Sequence, residues 1–447
     1  MTHDADDMVS LGEGMARIKL AYIGGGSTRG PGTMASLIAQ GEQFQGSEVI
    51  LIDLNQERLD LVRTIAEKMA RCAGVDLTIS TTTDRRAGLT DCDAVLTSYR
   101  PGGFEARYLD ESIPLKHGVI GQETQGPGGF FMALRSIHVM QGIIADMEVV
   151  CPSARLFNYT NPVNIVAEAV SHQSAIPIVS LCEGPLLYPH EVVAAADLDP
   201  AKLDAVSVGL NHGSWTVRHL YQGEDAIALL RDAYALKRDD PSVDQRPLRM
   251  LALAAMMGTI PSQYFQYYYF KDEVLAELRA KPTTRSQDIM AAVPDYWAHY
   301  REQASRDCPV LDPALSRGGI SELELAIDVM DGIFNDRREV WPVNVPNRGA
   351  VAGLPDDLVV ECLGYVDAAG IAPIAAGPLP PQVAGLVEML GAYQALAAKA
   401  AWEGSRRDAI QALATNPLCF SLPTAEAIYD ELAAAHRDYL PDRLLRN

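Results

Sequence analysis

The apolar positions in the first 180 residues follow two alternating patterns. Short apolar runs, typical of buried strands, are separated by segments in which apolar residues recur at helical spacing, such as Leu59, Val62 and Ile65. The predicted strands are Ile18–Ile23, Val49–Ile52, Leu77–Thr81, Ala94–Thr97, Leu156–Tyr159 and Ile176–Leu181. Helices between successive strands indicate βαβ units, so we expect a Rossmann-like α/β fold with a doubly wound, mostly parallel sheet.

The pattern changes near residue 205. From there on the predicted helices are longer and the strands fewer, as in Leu248–Met257, Ser321–Phe334 and Pro381–Trp402. We therefore expect three parts: a flexible tail over residues 1–16, a Rossmann-like domain over residues 17–205, and a helix-rich α+β domain over residues 206–447. The second domain is expected to contribute to substrate binding and oligomer formation, with the active site between the two domains.

The charge of the chain excludes several classes of function. Its 447 residues include 37 Lys and Arg against 58 Asp and Glu, a formal net charge of −21. Nucleic acids and anionic membranes both require dense positive charge, so neither is an expected partner. No apolar run is long enough for a transmembrane helix, and the acidic N-terminus lacks the features of a signal peptide.

The cysteines do not form a recognisable framework. The chain has seven, with no C-x-x-C pair and no regular spacing. An odd and scattered set is typical of reduced thiols in a cytoplasmic protein, which is the location we expect.

A glycine-rich segment follows the first predicted strand. Gly24–Ser27 precedes a predicted helix, which is the context of a dinucleotide-binding loop. The usual fingerprint is G-x-G-x-x-G. Its third glycine position is occupied here by Arg29, and Gly30 is the next residue. Asp53 ends the second predicted strand, where a carboxylate favours the ribose of NAD and repels the extra phosphate of NADP. The alternative is a tight turn with a helix-capping aspartate. The residues expected to bind NAD are Gly24, Gly26, Ser27 and Asp53.

Several downstream segments are more specific. They are Arg100–Arg107, Gly118–Thr124, Gly126–Gly129, Asn158–Pro162, Gly209–His212, Tyr264–Tyr269 and Asn347–Gly349, followed by Leu354-Pro355 and Val360-Glu361. In their order and spacing these segments resemble glycoside hydrolase family 4, particularly its 6-phospho-β-glucosidase branch. The resemblance extends from Ile18 to about Leu440.

The resemblance implies a hydrolase that uses NAD and a divalent metal, most often Mn²⁺, instead of the usual pair of carboxylates. In this family NAD takes a hydride from C3 of the sugar, which makes the C2 proton acidic. A base removes that proton, the aglycone leaves C1, water adds, and the hydride returns. Because the cofactor ends as it began, the net reaction is hydrolysis, here of a 6-phosphorylated glucoside.

Two residues match the metal-ligand positions of the family. Cys182 and His212 each follow a predicted strand and are 30 residues apart, so the fold must bring them together. A metal there would act as a Lewis acid on the sugar oxygens, and two protein ligands leave positions for substrate and water. Without the resemblance, Cys182 is equally a small buried apolar residue and His212 a core or surface histidine.

The resemblance also places the base and the sugar contacts. The base falls in Tyr264–Tyr269. We assign it to Tyr264 by the number of residues that separate this tyrosine from His212 and from Arg285. The other tyrosines of this segment are alternatives, or line the sugar, or pack in the core. A tyrosine acts as a base only where a metal or cation lowers its pKa from about 10. The residues that resemble the family's contacts to the sugar and its 6-phosphate are Arg100, Asn161 and Arg285; for each arginine the alternative is an ion pair with a carboxylate.

Two residues depart from the family pattern. Glu183 follows the metal-binding cysteine where 6-phospho-β-glucosidases usually carry Asn, and Gln266 replaces an Arg that is common in the tyrosine-rich segment. Glu183 is therefore a candidate acid for the leaving group, as an aspartate is in α-acting relatives, or a group that repels an anionic substrate. Both changes lower the local positive charge, which leaves the 6-phosphate and the α or β preference open.

Two other classes of function compete with the hydrolase. An NAD-dependent hydroxy-acid dehydrogenase would share the nucleotide domain but needs a His–Asp pair and no metal-binding cysteine. A non-catalytic NAD-sensing or scaffold protein would not need Cys182, His212 and the tyrosines together. Because the resemblance to this family implies a dimer or a tetramer, we expect a homodimer or homotetramer.

Overall fold

The computed structural model describes residues 15–317 and 324–446. The predicted tail, residues 1–16, therefore lies outside the described part except for its last two residues. The same applies to residues 321–323 of the helix predicted at Ser321–Phe334, whose remainder is helical over Glu324–Phe334.

Six parallel strands form the first part of the sheet. They are β1 (Lys19–Ile23), β2 (Ser47–Ile52), β3 (Leu77–Thr82), β4 (Ala94–Thr97), β5 (Arg155–Asn158) and β6 (Ile178–Ser180). Their order, β3-β2-β1-β4-β5-β6, reverses between β1 and β4, which is the Rossmann arrangement. The predicted doubly wound α/β fold is confirmed, and each predicted strand ends within two residues of an observed one.

The second half of the chain extends the same sheet with antiparallel strands. These are β7 (Leu203–Leu210), β8 (Gly213–Tyr221), β9 (Glu224–Asp225), β10 (Glu339–Pro346), β12 (Val359–Asp367) and β13 (Gly370–Pro373), while β11 (Val351–Ala352) and β14 (Gly377–Pro378) pair separately. Strand β10 lies antiparallel to β6 and connects the two parts. The boundary predicted at residue 205 falls inside β7, so hydrogen bonds of one sheet join the two predicted domains.

The helices cover both faces of the sheet. In the first half they are α1 (Gly30–Ala39), α2 (Gln56–Ala73), α3 (Arg85–Leu89), α4 (Gly103–Lys116), α5 (Gly126–Val150), α6 (Val163–Gln173) and α7 (Gly184–Ala195). In the second half they are α8 (Ala226–Lys237), α9 (Gln245–Met257), α10 (Gln266–Tyr269), α11 (Lys271–Ala280), α12 (Arg285–Ser305), α13 (Glu324–Phe334), α14 (Pro381–Trp402), α15 (Arg406–Thr415), α16 (Leu422–Ala435) and α17 (Asp442–Leu445). The helix-rich α+β character of the second half is confirmed.

The core lies on both sides of the sheet, as strand β1 illustrates. Leu20 and Tyr22 pack into the hydrophobic cluster on one face. Ala21 and Ile23 pack into the cluster on the other face. Because successive side chains of a strand point to opposite faces, a strand covered on both sides is apolar throughout. This double burial fixes the carboxyl ends of the parallel strands, where the functional residues lie.

One expectation about the cysteines is wrong. Cys72 at the end of α2 and Cys308 after α12 form a disulfide, although they are 236 residues apart in sequence. Lys68 on α2 donates hydrogen bonds to the carbonyl oxygens of Ala304 and Arg306, so the fold brings these two segments together in a way that spacing could not reveal. The other five cysteines are thiols. None of the described helices is both long and apolar enough to cross a lipid bilayer.

Candidate active site

A cavity of about 910 Å³ lies at the carboxyl ends of the parallel strands. Ligands of doubly wound sheets bind at this edge, where the strand order reverses. The sequence-predicted site residues all line it: Gly24, Gly26, Ser27, Asp53, Arg100, Asn161, Cys182, Glu183, His212, Tyr264 and Arg285. The fold thus brings together residues that are up to 261 positions apart.

The glycine-rich loop leaves no room for side chains, and backbone carbonyl oxygens block two of its positions. Gly24 has a φ of +98°, and a Cβ added there would lie 2.2 Å from the carbonyl oxygen of Ser98. A Cβ on Gly30 would lie 2.2 Å from the carbonyl oxygen of Gly25. Gly30 therefore allows the close packing expected of the third glycine, and the fingerprint misses it because this loop is one residue longer. A loop of this shape, followed directly by α1, fits a pyrophosphate.

Asp53 connects the end of β2 to this loop. Its Oδ2 accepts a hydrogen bond from the backbone N–H of Gly26 at 3.0 Å, and its Oδ1 accepts one from the N–H of Leu54 at 2.7 Å. The carboxylate thus holds the loop and lines the cavity at the position expected for a ribose-binding acid.

Cys182 and His212 meet in the wall of the cavity. Cys182 follows β6, and His212 occupies the tight turn between β7 and β8 with a φ of +62°. The Cys182 Sγ and His212 Nε2 atoms are 3.7 Å apart. Burial lowers the pKa of His212 to about 3, so its imidazole is neutral and keeps a lone pair. Burial also raises the pKa of the Cys182 thiol to about 12.

This donor set fits a divalent metal. A neutral imidazole and a thiol that becomes a thiolate on binding are metal ligands, because a nearby cation offsets the burial that opposes thiolate formation. No group of three or more His, Cys, Asp or Glu suited to a metal occurs among the described residues. Two protein ligands would leave several coordination positions open, as in catalytic metal sites.

Tyr264 lies directly against the histidine. Its ring stacks on the His212 imidazole, with centroids 3.7 Å apart and an angle of 7° between the planes. Burial, followed by electrostatic interactions with Cys182, Tyr267 and Glu123, raises the pKa of Tyr264, while a hydrogen bond with Tyr188 lowers it. Without added positive charge this side chain is therefore a protonated phenol.

The other three tyrosines of the segment have different surroundings. Tyr268 donates a hydrogen bond to Gln125 Oε1 at 2.5 Å, and Tyr269 packs edge-on against Trp215. Tyr267 lies 6.1 Å from Tyr264, centroid to centroid. Of the four, Tyr264 is the one that lines the cavity.

Glu123 is a cavity residue that the sequence analysis did not select, although its segment Gly118–Thr124 was noted. It forms ion pairs with Arg100 and with Arg107, whose Nη1 lies 2.7 Å from Oε2. Burial alone would raise the pKa of Glu123, but the two arginines lower it to about 2. Arg107 also donates from Nε to Glu111 Oε1 at 2.8 Å. The two arginines are thus held by carboxylates.

Arg317 was also missed, because no motif surrounds it. Its Cζ lies 4.2 Å from the centroid of the Phe104 ring, and Arg100 Cζ lies 5.3 Å from the same centroid. Tyr300 accepts a hydrogen bond from the N–H of Arg317 and donates one to the carbonyl oxygen of Thr28, which fixes Arg317 beside the glycine-rich loop. Burial and the repulsion of neighbouring arginines lower the pKa of Arg317 to about 9.

The cavity is positive in an acidic protein. Its lining, within the described part of the chain, includes seven arginines and five carboxylates, whereas the whole chain carries a net charge of −21. A local excess of guanidinium groups in a concave site favours anionic ligands, and phosphates above all.

The remaining predicted residues lie at element ends. Glu183 directly precedes α7, and Arg285 is the first residue of α12. Asn161 precedes a cis peptide bond to Pro162, and its carbonyl oxygen accepts a hydrogen bond from Ser136 Oγ at 2.9 Å. Gln266, the second departure from the family pattern, is buried and does not line the cavity.

Comparison with protein families gives the class. The family 4 glycosyl hydrolase model matches residues 19–203, and the model of the C-terminal domain of that family matches residues 207–419. The chain therefore belongs to family 4 of the glycosyl hydrolases, and the resemblance read from its motifs is confirmed.

Individual relatives cover nearly the whole chain. A probable 6-phospho-beta-glucosidase of Bacillus subtilis is 36% identical over 438 residues, which is 95% of this chain and 97% of that protein. A crystal structure of a 6-phospho-alpha-glucosidase from gut microorganisms, in complex with NAD and Mn²⁺, is 27% identical with a TM-score of 0.83 and covers 95% of this chain and 99% of its own. A second such structure, in complex with NAD and glucose-6-phosphate, has the same identity and coverage and a TM-score of 0.82.

Proposed function

We propose that the protein hydrolyses 6-phosphoglucosides with NAD and a divalent metal, Mn²⁺, as cofactors. The observation that carries the proposal is the cluster of Cys182 Sγ, His212 Nε2 and the Tyr264 ring in one cavity with the glycine-rich loop. A simple hydrolase has no use for a dinucleotide loop beside a metal-ligand pair. Relatives with NAD, Mn²⁺ and glucose-6-phosphate in their structures support the same combination.

The cofactors would be held by the residues already described. Gly24, Gly26, Ser27 and Asp53 bind NAD, and Cys182 with His212 binds the metal. When bound, NAD supplies a reversible hydride acceptor for C3 of the sugar, and the metal supplies a Lewis acid for the oxygens at C2 and C3.

Tyr264 is the proposed base that removes the C2 proton. Its stacked contact with His212 places it beside the metal ligands, and the Arg107 guanidinium interacts electrostatically with it. A metal ion held by Cys182 and His212, together with the Arg107 guanidinium, would favour the phenolate of Tyr264 and oppose the effect of burial on its pKa. Glu183, at the start of α7 and on the same cavity wall, is the proposed acid for the aglycone oxygen.

We propose that the arginines of the cavity make the protein select a phosphorylated substrate. Arg100, Asn161 and Arg285 are assigned to the sugar and its 6-phosphate, and the positive lining supports a dianionic group. We propose the β linkage, because the relative with 36% identity is a probable 6-phospho-beta-glucosidase. We also propose that the protein acts as a homodimer or homotetramer in the cytoplasm.

A panel of nitrophenyl glucosides tests the proposal. It contains the α and β anomers, each with and without the 6-phosphate, assayed with NAD and Mn²⁺. We expect nitrophenol release from the 6-phosphorylated β-glucoside with no accumulation of NADH. NADH formed in proportion to product would contradict the proposal and favour a dehydrogenase. Faster hydrolysis of the α anomer would contradict only the linkage.

A further inference from the structure

The two ring nitrogens of His212 have different neighbours. Nε2 faces Cys182 Sγ at 3.7 Å, whereas Nδ1 lies 2.9 Å from Thr124 Oγ1. In a neutral imidazole one nitrogen carries a hydrogen and the other a lone pair. In a neutral imidazole, the partner of Nδ1 therefore determines whether Nε2 has a lone pair for a metal.

Gln122 gives the Thr124 hydroxyl a direction. Gln122 Oε1 accepts a hydrogen bond from Thr124 Oγ1 at 3.0 Å. The same oxygen accepts from the backbone N–H groups of Thr124 and Gln125 at 2.5 and 2.9 Å, which hold it in place before α5 begins. A carboxamide oxygen only accepts, so the Thr124 hydroxyl proton is directed to Gln122 and its oxygen is left to accept Nδ1–H.

We propose that Gln122 and Thr124 are positioning residues that hold His212 in its Nδ1–H tautomer and leave the Nε2 lone pair to bind the metal with Cys182. The inference rests on the proposed function, since it takes Cys182 and His212 as the metal site. Hydrogen-bond partners of ligating histidines fix the tautomer and ring orientation, and their loss lowers metal affinity by about 10- to 100-fold. This series of hydrogen bonds from Gln122 through Thr124 to His212, here called the relay, also gives a role to the motif residues on either side of Glu123.

Two substitutions of Thr124 separate the hydroxyl from the packing of the side chain. Thr124→Val keeps its size and removes the acceptor, whereas Thr124→Ser keeps the hydroxyl. Titration with Co²⁺ measures affinity, and the thiolate-to-cobalt absorption band reports whether Cys182 is bound. We expect affinity about 10- to 100-fold lower in Thr124→Val and close to wild type in Thr124→Ser. NAD affinity should be unchanged in both.

A matched control lies on the same hairpin. Thr216 Oγ1 is 3.0 Å from His219 Nδ1, a second threonine–histidine pair, and neither residue lines the cavity. Thr216→Val should therefore leave Co²⁺ affinity unchanged. Gln122→Met, which removes the acceptor of the Thr124 hydroxyl, should reproduce the loss seen in Thr124→Val and serves if that variant fails to bind NAD.

Several results would overturn the inference. Wild-type Co²⁺ affinity in an NAD-binding Thr124→Val or Gln122→Met variant would show that the relay does not act on the ligand. An equal loss in Thr124→Ser would assign the effect to packing. If the wild type binds no Co²⁺, or if Cys182→Ser leaves the absorption band intact, the proposed metal site itself is wrong and the inference fails with it.

Discussion

The two ends of the cavity are built from different parts of the polypeptide. The end that we propose binds the nucleotide, here called the nucleotide end, consists mainly of the backbone of one short loop, in which Gly24 and Gly30 have no space for a Cβ. The end that we propose binds the sugar, here called the sugar end, consists of side chains from separate segments: Cys182, His212 and Tyr264, together with ion pairs of arginine and carboxylate.

This difference determines how each end responds to substitution. A backbone site has few charges to lose but tolerates no added atoms, because the chain itself approaches the ligand. A side-chain site tolerates changes of size better than changes of charge or hydrogen bonding, because its chemistry depends on a few polar atoms in low-dielectric surroundings. Each of the following substitutions is expected to affect one end and spare the other.

The largest effect is expected from removing both proposed metal ligands. Cys182→Ser combined with His212→Ala should lower the rate of hydrolysis by at least about 10³-fold, since a Lewis acid contributes several kcal/mol of stabilisation. Chelation with EDTA should do the same to the wild type, and Mn²⁺ should restore only the wild type. NAD binding, measured by calorimetry, should persist in the variant. Full activity of this variant in EDTA would mean that the two residues are structural.

Tyr264→Phe should have the next largest effect. The substitution keeps the ring stacked on His212 and removes only the hydroxyl, so the fold should persist while the rate falls by about 10²- to 10⁴-fold for a lost general base. Metal and NAD affinities should change little. A near-wild-type rate would exclude Tyr264 as the base and make Tyr267, whose ring lies next to it, the next candidate.

Hydrolysis in D₂O tests the same step without a mutation. Direct displacement at C1 never breaks the C2–H bond, whereas elimination must break it and return a proton that has exchanged with solvent. We therefore expect deuterium at C2 of the product, detected by NMR or mass spectrometry. Product that keeps its C2 proton would contradict the elimination route and with it the role of Tyr264.

The same difference explains what the sequence could predict. The proposed nucleotide end is local in sequence: the spacing of Gly24, Gly26 and Asp53 predicted it, and all three residues line the cavity. The six parallel strands were equally accessible, because a strand buried on both faces is apolar throughout.

The sugar end was predictable only through resemblance to a family. Cys182 and His212 follow different strands, and no local pattern relates them. Arg317 has no motif around it and reaches the site through Tyr300 and Phe104. The disulfide between Cys72 and Cys308 joins α2 to the segment after α12, which is far away in sequence. Such contacts depend on the packing of whole elements, which periodicity does not specify.

A smaller effect is expected at the nucleotide end from Gly24→Ala. The added Cβ would meet the carbonyl oxygen of Ser98 at 2.2 Å, at a φ of +98°, so the loop must shift. We expect NAD affinity to fall by about 10-fold, because a shift of the loop weakens contacts between its backbone and the pyrophosphate. Co²⁺ affinity should not change.

Gly74→Ala is the control for this substitution. Gly74 also has a positive φ, +71°, but ends α2 with no atom within 4 Å of an added Cβ. It should lower thermal stability through backbone strain and leave NAD affinity intact. An equal loss of NAD affinity in both variants would assign the effect to general destabilisation.

The smallest effect is expected from breaking the ion pairs of Glu123 at the sugar end. Glu123→Gln leaves Arg100 and Arg107 without this carboxylate, and we expect Tm to fall by about 5 °C at neutral pH. The arginines lower the pKa of Glu123 to about 2 from its ordinary value of 4.5, so its ionisation stabilises the fold above pH 4.5. That contribution is lost as the pH falls from 4.5 towards 2, and the difference in Tm between wild type and variant should shrink over this range.

Glu105→Gln, which alters a cavity carboxylate outside this group, provides the control and should show no such convergence. A difference in Tm that stays constant from neutral pH to about pH 3 would mean that the charge of Glu123 does not support the fold, and that the sugar end depends on the shape of this side chain.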